Sequence, residues 1–301
     1  MLLQQLLNGL TLGSIYALIA LGYTMVYGIL EFINFAHGEV YMLGAYFAII
    51  ALGILTQWGV NTWTMAPLLV IVFAMVFAAA WGGTVERIAY RPLRAAPRLS
   101  PLISALGVSI FLQNLVMLTQ GARDQVFRRE LLFPHSFNTG GLALPGCQVS
   151  YIQITIIATS LLLMLGLTLF INRTRLGRAM RAVAQDQRMA RLCGINIDAI
   201  IRLTFVLGSA LAAAAGVLVA MHYGLVNFHI GYVAGLKAFI AAVVGGIGSV
   251  PGAMLGGLLL GMAESFGAGY LSCEYKDVYA FVILIAVLLI RPQGIMGDKS
   301  Q

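Results

Sequence analysis

The chain has 301 residues, of which 60% are hydrophobic and only 10% charged, and its mean hydropathy is +0.91. An average soluble domain is roughly 25% charged, so a soluble enzyme, a disordered chain and a secreted disulfide scaffold are excluded, and a polytopic membrane protein remains. The net charge of +7 comes from 18 basic and 11 acidic residues set between apolar runs, which is not the clustered basic surface of a nucleic-acid binder.

A membrane span needs about 20 mostly apolar residues. No Lys or Arg precedes Arg87, so Met1–Leu30 lacks the basic n-region of a cleavable signal and reads as a retained first span over Leu6–Tyr27. Further spans are expected at Val40–Thr56, Met65–Val85, Leu102–Leu118, Ile152–Ile171, Leu203–Met221 and Val278–Ile290. Ala234–Phe266 is too long for one crossing of a ~30 Å core. It is interrupted by Gly245, Gly246, Gly248, Ser249, Pro251 and Gly252. Proline disfavours helix at the residue before it, so two short helices meeting at a turn are expected. One long, kinked helix is the alternative.

The basic loops orient the chain. Arg87, Arg91, Arg94 and Arg98 oppose Glu86, and seven arginines between Arg173 and Arg202 oppose Asp186 and Asp198. Both loops belong on the cytoplasmic side. The nearly balanced Gly121–Ser150 loop then lies outside, as does the N-terminus, while the segment after Arg291 returns inside. The hairpin must enter and leave by one face for this parity to close. The expected fold is an all-α polytopic membrane protein of about eight transmembrane helices, in one membrane domain over residues 1–301.

No Gly-Lys-[Ser/Thr] occurs, so there is no Walker loop to cradle ATP phosphates. Four histidines and three cysteines show no metal-ligand spacing, and no nucleophile motif such as Gly-x-Ser-x-Gly is present. No catalytic, cofactor or metal site is expected. Cys147 and Cys273 both fall outside and could pair.

Small residues at four-residue spacing let helices approach closely in lipid. Gly248, Gly252 and Gly256 form one such face, Gly257 and Gly261 another, and Gly9 and Gly13 repeat the device in the first span. Gly245–Gly252 could also act as a hinge or line a pathway. Between the first two spans, Glu31, Asn34, His37 and Glu39 crowd into nine residues, and such a break is tolerated at depth only against protein or water. Lys237 and Glu264 lie near opposite ends of the hairpin, where ionisable groups are functional candidates; for Lys237, snorkelling to the interface competes. Asn34, His37, Glu39 and Lys237 are the candidate pathway residues. Gln113 and Asn114 in the fourth span read as donors across helices.

Ala184–Cys193 reads as a short amphipathic helix. Asp186 near its start and Arg191 near its end suit the helix dipole, and Gly194 suits a left-handed cap. Met189, Leu192 and Cys193 make a small apolar face, with Arg188 and Arg191 beside it. Docking of a partner ATPase and attachment to anionic lipid are both open to such a helix.

Three segments carry a family resemblance: Leu7–Ala20, Ile33–Glu39, and above all Gly235–Gly252 with its long glycine-rich match. They resemble the LivH-type permease of bacterial branched-chain amino-acid ABC importers, as do Arg173–Asn196 and Arg291-Pro292-Gln293-Gly294-Ile295. The likeness weakens in Arg128–Ser150. It implies a heterodimer with a second, related permease subunit in the bacterial inner membrane. It also implies two cytoplasmic ATPases and a periplasmic or lipid-anchored binding protein that selects leucine, isoleucine or valine. It maps the family's coupling helix onto Ala184–Cys193. Related permeases carry urea or short amides. From another class, an ion-coupled secondary transporter would need a mid-membrane ion site, for which Lys237 and Glu264 are the obvious residues.

Overall fold

The computed structural model describes residues 2–30, 32–59, 65–94, 96–97, 99–144 and 147–297. Glu31 and Arg98, named above for the polar break and a basic loop, lie outside the described residues. The elements run α1 (Leu2–Leu30), α2 (His37–Gln57), α3 (Ala66–Val85), α4 (Leu99–Gln120), β1 (Gln125–Val126), α5 (His135–Thr139), β2 (Gly141–Leu144) and β3 (Cys147–Ser150). They continue with α6 (Tyr151–Arg173), α7 (Arg175–Gln185), α8 (Gln187–Leu192), α9 (Ile197–Tyr223), β4 (Leu225–Val226), α10 (Ile230–Gly245), α11 (Val250–Tyr270) and α12 (Lys276–Ile290). Seven helices, α1, α2, α3, α4, α6, α9 and α11, are long and apolar enough to cross a membrane. With the shorter α10 and α12 this is an all-α, multi-pass membrane protein. The break into two helices is present, so the single kinked helix is discarded, but only α10 is short, with 16 residues, while α11 has 21 and is long enough to cross.

Helix ends follow local chemistry. Ser150 and Gln153 form a capping box at the start of α6. The α9 helix begins six residues before its apolar run, because Asn196 Oδ1 accepts from the Ala199 amide at 3.1 Å and Asp198 sits in the first turn. The Ala184–Cys193 segment is also more divided than its composition indicates. Ala184 and Gln185 end α7, Asp186 is extended, and α8 starts only at Gln187.

Contacts sort the elements into two ends. At one end β1 pairs antiparallel with β4, the Gln148 amide donates to Gln4 Oε1 at 3.0 Å, and Gln153 Nε2 donates to Asn8 Oδ1 at 3.0 Å. The Gly121–Ser150 loop and the start of α1 therefore share a face, as the outward placement requires. At the arginine-bearing end, Gln187 Nε2 donates to the Ile29 carbonyl at 2.6 Å. There too Arg91 and Arg94 pair with Asp198 at 3.0 and 2.5 Å. Buried Glu86 receives Arg94 and lies 3.7 Å from Arg202. These ion pairs tie the arginine-bearing end of α3 to that of α9. The arginines expected merely to orient the chain thus also clamp two helices.

Helices α1 and α9 are buried along most of their length and form the centre. α11 lies antiparallel against α1. A Cβ on Gly9 would stand 2.8 Å from the Met262 Cα, and one on Gly13 would stand 2.8 Å from the Leu258 Cα. Gly257 and Gly261 meet Ala17 and Gly13 in return, while Gly252 and Gly256 face Gly245 and Ala241 of α10. The two glycine faces of α11 therefore serve two different neighbours, but Gly248, expected on the first, precedes the helix at φ +93° with nothing within 4 Å of an added Cβ. Cys147 is buried, Cys193 and Cys273 are exposed, and all three are free thiols. The Cys147–Cys273 pairing is not formed.

Candidate functional site

α2 does not start level with the end of α1. The His37 imidazole occupies the space beside Gly22, eight residues or ~12 Å of helix back from Leu30. Residues 32–35 therefore climb into the bundle outside either helix, and Ala36 caps α2. The His37 amide donates to the Asn34 carbonyl at 3.0 Å, and Asn34 Oδ1 accepts from the Tyr90 hydroxyl at 2.5 Å. The Tyr90 ring packs at a tilt, its centroid 5.3 Å from those of both Phe32 and Phe205. It ends a π-helical turn over Glu86–Tyr90, a rare geometry that is frequent at functional sites. Irregular backbone at membrane depth needs burial in protein, and Tyr90 supplies much of it. Tyr90 was not legible as a partner, since in sequence it is one aromatic residue among arginines.

Glu39 is fully buried. Its Oε1 accepts from Ser109 Oγ at 3.0 Å and Gln113 Nε2 at 2.8 Å, and among the described residues its Oε2 has no hydrogen-bond partner. Gln113 thus joins α4 to α2 as expected, whereas Asn114 only donates to the Ile110 carbonyl of its own helix at 2.8 Å. His37 meets Tyr23 edge-on at 4.8 Å.

Lys237 and Glu264, distant along the hairpin, are brought together because its arms run antiparallel. Lys237 Nζ lies 2.7 Å from Glu264 Oε1 and 2.7 Å from Asp277 Oδ1, and Lys276 Nζ lies 3.2 Å from the same Glu264 oxygen. Lys237 is buried, so it is ion-paired rather than snorkelling. Its ammonium also stands 5.9 Å from the centroid of the Tyr16 ring. Beside it a cavity of about 310 Å³ is bounded by α1, α2, α9, α10 and the first residue of α12. Of the four candidate pathway residues only Lys237 lines this cavity; Asn34, His37 and Glu39 are buried elsewhere in the bundle. Lys276, Asp277 and Tyr16, not singled out from the sequence, complete the cluster.

At the cytoplasmic end, Asp186 Oδ1 accepts from the Arg188 amide at 2.7 Å and the Met189 amide at 3.1 Å. α8 closes with Gly194 at φ +78°, the Gly194 amide donating to Arg191 and the Ile195 amide to Ala190, a Schellman end. Between these caps Met189 is 62% and Leu192 82% exposed. A capped helix therefore presents an uncovered apolar tip.

Two of the segments that carry the resemblance touch. The hairpin turn places Gly246 at φ +110°, and the tail places Gly294 at φ +79°. The Ile295 amide donates to Val244 and the Met296 amide to Gly245, both at 2.9 Å. A Cβ on Gly294 would stand 2.6 Å from the Gly246 Cα, so both positions need glycine for conformation and for contact. On the other side Ser249 caps α11, with Pro251 in its first turn.

A family model described as branched-chain amino acid transport system / permease component matches residues 5–288. The chain is 57% identical over 295 residues to the high-affinity branched-chain amino acid transport system permease protein BraD of Pseudomonas aeruginosa, covering 98% of this chain and 95% of that one. It is 52% identical over 299 residues to the corresponding protein LivH of Escherichia coli K12, with the same coverage. To the probable LivH of Methanocaldococcus jannaschii it is 29% identical over 298 residues, covering 94% and 89%.

Proposed function

Since this chain belongs to the family of branched-chain amino acid transport permeases, we propose that it is a membrane subunit of an ABC importer carrying leucine, isoleucine and valine into the cytoplasm. The near-full-length identity to BraD and LivH is the observation that carries the reading. It also leaves the urea, amide and ion-coupled alternatives without support. Residues 1–301 act as one membrane domain in the bacterial inner membrane. A second, related permease forms the heterodimer, two cytoplasmic ATPases supply the energy, and a periplasmic or lipid-anchored binding protein delivers and selects the amino acid.

ATP drives the cycle from the partner subunits, because this chain has no Walker loop. Liposomes holding the complete complex, ATP inside and the binding protein outside, are expected to accumulate radiolabelled leucine. This chain alone is expected to hydrolyse no ATP. Uptake that collapses with the proton gradient while ATP remains would overturn the reading.

The broken α1–α2 connection is the part of the route that opens. Residues 32–35 lie outside both helices, so the segment can move without melting a span. Cysteines replacing Asn34, His37 or Glu39 are expected to be protected from aqueous thiol reagents at rest and to react during turnover. Protection that persists at all three positions through the cycle would remove them from the route.

A further inference from the structure

The cavity beside Lys237 opens at the outer end of the bundle. Tyr223, in its wall, ends α9 just before the strand that pairs with the outer loop, and Lys276, also in its wall, starts α12 after the outer turn. Its volume of about 310 Å³ is at the small end of the range for small-molecule sites. Among the described residues its wall carries the ammonium groups of Lys237 and Lys276, with His229 and Asn227 also lining it, and no carboxylate. Glu264 and Asp277 hold the lysines without themselves lining the space. An ammonium has three donors. Lys276, which is 29% exposed, is bonded to Glu264 and to the Tyr223 side chain, which leaves one donor free. The Tyr16 and Tyr223 side chains also border the space, and the remaining wall includes Leu12, Ile15, Val219 and Val233. The wall therefore combines a cationic corner with an aliphatic chamber.

We propose that this cavity is an outward-facing resting site for one branched-chain amino acid, its α-carboxylate at Lys276 and Lys237 and its side chain among Leu12, Ile15, Val219 and Val233. This inference rests on the reading of the chain as a branched-chain amino acid permease. A ligand carboxylate must compete with Glu264 for the same ammonium groups, so the well is shallow and binding weak. A shallow well suits transit, because a deep one slows release. The chemistry selects the carboxylate of a zwitterion with a short apolar side chain, its α-ammonium turned from the lysines toward Asn227 and the tyrosines of the wall, and an amino acid whose carboxylate is masked loses its partner.

The test uses the complete transporter in nanodiscs, without binding protein, with Cys147, Cys193 and Cys273 replaced by serine and Val233→Cys introduced. Val233 is 44% exposed and tolerates the change. Leucine at several millimolar is expected to slow modification by a small aqueous thiosulfonate at least threefold. Leucinamide is expected to leave the rate unchanged, and adding Lys276→Gln is expected to remove protection by leucine. Equal rates with leucine and leucinamide would overturn the proposal. Separately, Val233→Trp fills the chamber. It is expected to lower leucine uptake at least tenfold in a complex that still purifies as one intact assembly, and wild-type uptake by this variant would also overturn the proposal. A parent complex that imports no branched-chain amino acid counts against the function reading instead.

Discussion

Replacing Met189 and Leu192 together by Asp is expected to abolish ATPase docking and amino-acid uptake in the same variant, while membrane insertion survives. Both side chains are exposed and make no part of the bundle core, so the substitution leaves the fold of this subunit intact. The consequence appears only when a partner covers them. An uncompensated buried charge costs several kcal/mol, and each ~1.4 kcal/mol is tenfold in affinity. Two charges in an apolar groove therefore weaken docking by roughly a thousandfold or more. Movement of α8 has short paths into the membrane. Gln187 reaches the Ile29 carbonyl in the last turn of α1, next to the broken segment. The α9 helix follows within five residues of Leu192, and its Asp198 holds Arg91 and Arg94 beyond the π-helical turn that carries Tyr90. Co-purification of the ATPases with the variant, together with leucine uptake, checks the expectation. If α8 instead lies on the membrane surface, docking persists and any loss follows the anionic lipid content. A variant that docks normally and transports at the wild-type rate would sink the coupling role.

The difference between what was legible and what was not follows from the range of each interaction. Spans, the hairpin break and the Gly194 cap are written in local composition, and they emerge with ends shifted by a few residues where a cap such as Asn196 extends a helix beyond its apolar run. The glycine faces of α11 were legible as faces, because four-residue spacing is a local property. Which helix each face meets was not, since that depends on how the arms fold back. The same limit hid the Lys237–Glu264–Asp277 cluster and the Tyr90–Asn34 bond. Each joins residues whose separation in sequence carries no signal. The polar break at Asn34–Glu39 stood out because it violates membrane burial locally, but its partners Ser109, Gln113 and Tyr90 are supplied by other spans and look ordinary there.

The α1–α11 seam should be the least tolerant place in the chain. In lipid no hydrophobic effect drives helices together, and close backbone approach replaces it. Gly261 sits directly on the Gly13 backbone and Gly257 on that of Ala17, leaving no room for a Cβ at either position. The obstruction is main chain rather than the end of a flexible side chain, so it cannot rotate aside. Gly261→Leu must therefore push α1 and α11 apart along a contact that also holds Gly9 against Met262 and Gly13 against Leu258. Overpacking a tight core costs about 1–3 kcal/mol where side chains can yield, and a backbone obstruction lies at or above the top of that range. Separation also pulls Ser265 away from the Gln5 carbonyl that it reaches at 2.8 Å. Gly166→Ala is the control: Gly166 lies within α6 with nothing within 4 Å of its added Cβ, and alanine is the better helix former. After graded heating in detergent, size-exclusion profiles should show Gly261→Leu losing its monodisperse peak many degrees below the parent. Gly166→Ala should match or exceed the parent. Equal thermal profiles for Gly261→Leu and the parent would show that the seam does not hold these helices together.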